Sequence, residues 1–150
     1  MLLACSPQAP AQNAPIENAA QDPRAQTGLR EVPLTIRSKN GVHHFTVEVA
    51  ATEEQQERGL MFRKNVAGDR GMIFPYDPPQ EVAFWMKNTP IPLDIIYIRS
   101  DGTIARITKA EAMDLTPLPS GEPIANVLEI RGGRAAELGI KEGDAVSLSH

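Results

Sequence analysis

Glycine and proline interrupt this chain so often that no apolar segment has room to become a long helix. Eleven glycines and thirteen prolines are spread over 150 residues. From Leu34 onward they bracket short runs in which apolar and polar side chains alternate. Runs of roughly four to eight residues between turn signals read as strands. Leu34 and Ile36, then Phe45, Val47 and Val49, alternate with Thr35, Arg37, His44, Thr46 and Glu48. Between the two runs stands Lys39-Asn40-Gly41, and Asn-Gly in that position predicts a hairpin because both residues accept positive φ.

The pattern continues along the chain. Thr52-Glu53-Glu54-Gln55 is a capping box with two acids for the helix dipole. A short surface helix is expected from Thr52 to Leu60, supported by a Glu54–Arg58 pair and ended by Gly59. It delivers Leu60, Met61 and Phe62 to the core. Gly71–Phe74 predicts a buried strand stopped by Pro75, with a loop through Gln80. Val82 to Lys87 reads as a strand with Phe84 and Met86 on one face and Ala83, Trp85 and Lys87 on the other. Asp94–Arg99 and Ile104–Ile107, around Ser100-Asp101-Gly102, predict a second hairpin. Its first strand is apolar at both parities and so is covered on both sides. The segment from Met113 to Pro123 reads as a long loop. Asn126–Arg131 is expected as a strand with Leu128 and Ile130 inward and Glu129 facing solvent. Gly132-Gly133 leads into a helical turn over Arg134–Leu138, and Ala145–Leu148 forms the last strand. The fold implied is mainly β: a compact β-sandwich or barrel-like sheet of seven to eight short strands, one short surface helix and one short C-terminal helical turn.

The remainder of the chain is different in kind. Residues 6–31 are rich in Ala, Pro, Gln and Asn and poor in large apolar side chains. Such a segment does not bury enough surface to offset its ordering entropy, and a disordered tether is expected. A single β-rich domain then occupies residues 32–150. The lone cysteine, Cys5, excludes an internal disulfide and a cysteine-based zinc site. Leu2-Leu3-Ala4-Cys5-Ser6 resembles the lipobox of bacterial lipoproteins, cut short so that four residues precede Cys5. This places the chain in the cell envelope, as a periplasmic or outer-membrane lipoprotein. Its contact with the membrane would be only through a lipid anchor at Cys5, with the Pro/Ala/Gln segment as tether. A net charge of −4 and the lack of a long basic cluster argue against a nucleic-acid partner.

The unusual residues are concentrated in Phe84-Trp85-Met86-Lys87-Asn88-Thr89-Pro90-Ile91-Pro92-Leu93-Asp94-Ile95. Trp85 and Lys87 share a face. The bland reading puts Trp85 in the core with Lys87 reaching past it to water, and truncation of the ring would then cost ~3–5 kcal/mol. The functional reading has them stack a sugar or hold an anionic group. Asn88 and Thr89 precede a Pro-X-Pro turn and are expected to bond backbone there, or to orient a ligand. Asp94 has the parity of Ile96 and Ile98, so it faces the core and needs a partner, for which Arg58, Arg63 or Lys87 is available. Asp94 and Glu129 together would be the acid and base of a glycoside hydrolase. Met61, Met72 and Met86 have thioethers suited to Cu(I), yet each sits in an apolar run where Met is ordinary filler. His43 and His44 are adjacent on a strand and point to opposite faces. No cofactor and no metal are implied.

Taken in order, Glu57-Arg58-Gly59-Leu60-Met61-Phe62-Arg63, Gly71-Met72-Ile73-Phe74, the Phe84–Ile95 block, Val127-Leu128-Glu129-Ile130, Gly133 and Gly143-Asp144 closely resemble the domain-of-unknown-function family 192. The resemblance spans most of residues 32–148, while the loop from Glu111 to Pro123 is longer and more proline-rich than the family pattern. It implies a small, mostly β, secreted or lipid-anchored domain and brings no activity with it. The residues themselves point to a non-catalytic envelope module that binds a small molecule, a saccharide or a protein. Its binding surface would be Trp85, Lys87, Asn88 and Asp94, with Arg58, Arg63, Thr89 and Glu129 as further candidates. The competing reading is a polysaccharide hydrolase using Asp94 and Glu129.

Overall fold

The computed structural model describes residues 22–149; Cys5 and most of the expected tether lie outside them. Residues 22–30 belong to the expected tether by composition, yet they are held against the domain. Ala25 is buried, Gln26 Nε2 donates to the carbonyls of Gln55 (2.9 Å) and Gly59 (2.8 Å), and the Arg24 guanidinium lies 4.3 Å from the centre of the Phe62 ring. Polar and cation–π contacts replace the apolar burial that composition lacks.

The opening hairpin forms as expected. Strand β1 (Glu31–Ser38) pairs antiparallel with β2 (Gly41–Val49), Ser38 standing opposite Gly41. Only Gly41 takes a positive φ, 128°; Asn40 does not, and its N–H instead donates to Ser38 Oγ at 3.2 Å. Helix α1 (Glu53–Arg58) is shorter than Thr52–Leu60 and carries the capping box in full. Thr52 Oγ1 accepts from the Gln55 N–H at 3.1 Å, and Gln55 Oε1 accepts from the Thr52 N–H at 3.1 Å. Gly59 ends it. The expected Glu54–Arg58 pair does not form. Arg58 donates to the Arg24 carbonyl at 3.1 Å and lies 5.8 Å from the Phe62 ring centre. Of the three residues after the helix, Leu60 enters the core while Met61 and Phe62 stay half-buried.

Strand β3 (Arg70–Gln80) runs through Pro75 rather than stopping there. It lies parallel to β2 and antiparallel to β8 (Ile124–Arg131). The pairing with β8 shifts between Pro75 and Gln80, and this irregularity carries the prolines past positions where they have no N–H to donate. Only two residues of the expected Val82–Lys87 strand pair, as β4 (Ala83–Phe84) with β7 (Leu118–Pro119). The second hairpin is β5 (Leu93–Ile98) with β6 (Ile104–Ala110), followed late in the chain by α2 (Arg134–Leu138) and β9 (Ala145–Leu148).

Seven strands form one sheet in the order β6-β5-β8-β3-β2-β1-β9. Its two edges meet at one corner, where Thr103 pairs with Ala145 and the Val146 N–H donates to the Gly102 carbonyl at 2.8 Å. The sheet is therefore a curled half-barrel. The cluster containing Ile36, Val47, Ile73, Ile96, Ile104 and Leu128 draws on every strand of the sheet, with Val146 and Leu148 from β9, as only the inside of a curled sheet allows. Ala135 and Ile140, in and after α2, join this cluster.

A second cluster covers the other face of three adjacent strands, β5, β8 and β3. It contains Met72 and Phe74 from β3, Leu93, Ile95 and Tyr97 from β5, and Val127 from β8. Phe84 roofs it, meeting Phe74 edge-on at 5.1 Å and Tyr97 at 6.3 Å. Backbone bonds from Met86 N to Asp114 O (2.8 Å) and from Met113 N to Thr89 O (2.9 Å) tie the proline-rich loop to this roof. All six residues of β5 are buried, in keeping with a strand covered on both sides.

Candidate functional site

Coverage of both faces moves Glu129 from solvent to the interior. It stands on β8 directly between Met72 of β3 and Ile95 of β5, both fully buried. Glu129 itself is 5% exposed, and no described group is hydrogen-bonded to its carboxyl. Burial alone pushes its pKa up from the usual carboxylate value to about 8. The expectation of a solvent-facing Glu129 assumed that only one face of β8 was covered. The run Val127-Leu128-Glu129-Ile130, apolar at both parities, carried the contrary signal.

Glu129 forms the floor of a cleft of about 300 Å3. One wall is aromatic, made by Tyr76, Phe84 and Trp85; the other is α1 with Gly59–Met61, which brings Glu53, Glu57 and Arg58 to the rim. Tyr76 faces the same carboxyl. Burial first, and the Glu129 charge second, push its phenol up to about 12. Tyr97, roofed by Phe84, donates its hydroxyl to the Leu118 carbonyl.

Trp85 is not core. Half of it, 50%, is exposed, and the Lys87 ammonium lies 5.2 Å from the centre of its ring. The alternation that sets Ala83, Trp85 and Lys87 on one face and Phe84 and Met86 on the other holds. What differs is that the Trp85 face meets water. Trp85→Ala is therefore expected to change the unfolding free energy by less than about 1 kcal/mol, against ~3–5 for a core ring. A urea midpoint that moved as far as a core truncation would contradict the exposed position.

The other candidates divide among three places. Thr89 lines the cleft and is buried, its Oγ1 donating to the Lys87 carbonyl at 3.0 Å to close the turn. Asn88 lies outside the cleft lining and serves through its backbone, with φ +53° and its carbonyl accepting from the Phe62 N–H at 2.6 Å. Arg58 reaches the rim, but its guanidinium is engaged with Arg24 and Phe62. Arg63 is elsewhere: it forks onto Glu48 at 2.9 and 3.0 Å and donates to the Gln26 carbonyl at 2.7 Å, beside a separate hollow of about 200 Å3.

Asp94 faces the first cluster, as its parity requires, and is 1% exposed. Its partner is no side-chain base. Oδ1 accepts from the Gly133 N–H at 3.1 Å and Oδ2 from the Ala135 N–H at 2.9 Å, so Asp94 caps α2 from a neighbouring strand. Since Asp94 and Ile95 alternate across β5, and Ile95 stands opposite Glu129, the two carboxyls lie on opposite faces of the sheet. They do not frame one glycosidic bond. Met72 and Met86 are packed into the second cluster, and among the described residues no group of three or more His, Cys, Asp or Glu is placed to hold a metal ion.

The fold and cleft define a small, mainly β, half-barrel domain with a buried acid beneath an aromatic rim. The sequence profile of the domain-of-unknown-function family 192, described as an uncharacterized ACR, matches residues 34–148, and the chain belongs to this family. A crystal structure of a protein of unknown function from Novosphingobium aromaticivorans DSM 12444 is similar over 87% of this chain and 94% of that one, at 46% identity and a TM-score of 0.79. A Sinorhizobium meliloti 1021 protein, provisionally named a transcription regulator, is similar over 82% of this chain and 97% of that one, at 37% identity and a TM-score of 0.79. No curated protein matches.

Proposed function

We propose that the chain is a non-catalytic, saccharide-binding module of the cell envelope whose site is the cleft between Trp85 and α1. The observation that carries this reading is a buried Glu129, without a hydrogen bond among the described residues, that lines the same cleft as a half-exposed Trp85. A carboxyl at the floor of a cleft with no hydrogen bond from the protein is left open to a ligand that supplies one. An exposed indole offers a flat apolar surface to the apolar face of a sugar ring, and the polar floor and mixed-charge rim supply orientation. The separation of Asp94 from Glu129 leaves the acid–base pair of a glycosidase unassembled. A net charge of −4 gives no support to phosphate-backbone binding. The envelope address is supported by Leu2–Cys5 and the polar spacer after it; a Cys5→Ser change is expected to abolish incorporation of labelled palmitate in a bacterial host.

Trp85 is the chain's single tryptophan, so its emission reports directly on the cleft. Titration of the full chain with soluble cell-wall saccharides should shift that emission saturably. Trp85→Ala should lose the binding, read by calorimetry, while keeping its melting temperature. If no saccharide up to millimolar concentration perturbs Trp85, the reading fails.

A further inference from the structure

We infer that the ligand is amphiphilic: a saccharide carrying an alkyl or acyl chain, its sugar in the cleft and its chain laid across an apolar shelf beside Trp85. This rests on the saccharide-binding reading above and deepens it by naming the ligand class. Residues 83–89 and 113–119 run antiparallel as a ribbon. They are tied by the β4–β7 pairing, by the Met86 N–H to the Asp114 carbonyl (2.8 Å) and by the Met113 N–H to the Thr89 carbonyl (2.9 Å). Phe84, Met86 and Leu118 turn inward to the second cluster. The opposite face is open. Because Met86 stands opposite Asp114, alternation sets Leu115 beside Trp85 on that face, about 5 Å away between Cβ atoms.

Among the described residues the exposed large apolar side chains are Val42, Trp85, Met113 (55%) and Leu115 (59%), and all but Val42 stand on this ribbon. Apolar side chains scattered singly over a surface need no explanation, whereas a cluster of them marks an interaction site. Met113 also takes φ +63°, a conformation that favours glycine or asparagine, so neither burial nor backbone calls for methionine there. Trp85 belongs to both surfaces. It lines the cleft with Glu129, Thr89, Glu53 and Arg58, and it borders Leu115, which with Met113 lies outside the cleft lining. A polar hollow and an apolar shelf that meet at one indole match a molecule with a polar head and an apolar chain. A purely polar glycan would leave the shelf in water, and a bare hydrocarbon would leave the polar cleft unfilled.

The test titrates the full chain with methyl and octyl β-glycosides of glucose and of N-acetylglucosamine, each below its critical micelle concentration, with Trp85 emission as the readout. For at least one of the two sugars the octyl glycoside is expected to bind at least about tenfold more tightly than the methyl glycoside, because its methylenes leave water on the shelf. It is also expected to bind at least about tenfold more tightly than octyl tetraoxyethylene, which has the chain and no sugar. In the double variant Met113→Ser, Leu115→Ser the octyl and methyl glycosides should bind within about threefold of each other. Both side chains meet water, so this variant should melt as wild type does. Equal affinity for methyl and octyl glycosides, equal affinity for octyl glycosides and octyl tetraoxyethylene, or an unchanged preference for the octyl chain in the double variant would overturn the inference while leaving saccharide binding intact. So would silence from every glycoside alongside binding of soluble cell-wall saccharides. Quenching of Trp85 by sugar-free vesicles of brominated phosphatidylcholine would assign the shelf to the bilayer and likewise overturn it. Silence from the glycosides and the soluble saccharides together would overturn both readings.

Discussion

Raising the pH from about 4.5 to about 8 is expected to destabilise this protein by up to about 4–5 kcal/mol, and Glu129→Gln is expected to remove most of that loss. The cause is a carboxyl whose proton is held more tightly in the folded chain than in the unfolded one. Below about 4.5, the ordinary value for Glu, both states carry the proton and the contribution to stability is fully present. Between there and about 8 the unfolded chain has released the proton while the folded chain still holds it, so stability declines by about 1.4 kcal/mol per pH unit. Above about 8 the folded state carries a buried carboxylate between Met72 and Ile95, and the loss is complete. Urea midpoints at pH 5, 6.5 and 8 for wild type and Glu129→Gln are the measurement. Curves of equal slope for the two proteins would show that Glu129 does not ionise as its burial requires.

The second large effect concerns Asp94. Asp94→Ala is expected to cost about 3 kcal/mol, because it removes two charge-assisted bonds and leaves the Gly133 and Ala135 N–H groups without their acceptor. The consequence extends past the two bonds. Ala135 and Ile140 belong to the inner cluster, so an uncapped α2 loosens one end of the half-barrel. Two glycines make the clasp possible. A Cβ on Gly132 would meet the Pro92 backbone at 2.9 Å, and Gly133 takes φ +86°. The Gly132 N–H also donates to the Pro92 carbonyl at 3.0 Å. Asp94→Asn keeps an acceptor and loses the charge, so an intermediate cost of about 1–3 kcal/mol is expected. A denaturation midpoint for Asp94→Ala within about 1 kcal/mol of wild type would refute the cap.

Both residues show how far residue pattern reaches. Asp94 was legible as core-facing from its parity with Ile96 and Ile98, and that holds. Its partner was not legible, because backbone N–H groups leave no mark in composition; the visible bases Arg58, Arg63 and Lys87 were the wrong candidates. In the sequence Gly132-Gly133 reads as the entry to a helical turn; its role as the surface that lets Pro92 and Asp94 approach is set by the fold. Glu129 was misplaced for a different reason. Alternation correctly separates it from Leu128 and Ile130, but the face it shares with Val127 is covered by Leu60, Phe84, Met86 and Leu118, which are distant in the chain.

What the sequence determined by itself is local. The strand–turn spacing, the first hairpin, the Thr52 cap, the two-sided burial of β5 and the shared face of Trp85 and Lys87 all follow from side-chain periodicity and turn chemistry. What tertiary structure alone decided is which of two faces is dry. Alternation assigns residues to opposite sides of a strand, whereas the curl of the sheet and its roof of remote segments determine which side excludes water. That choice put Trp85 at a rim, Asp94 under a helix and Glu129 at the bottom of a cleft.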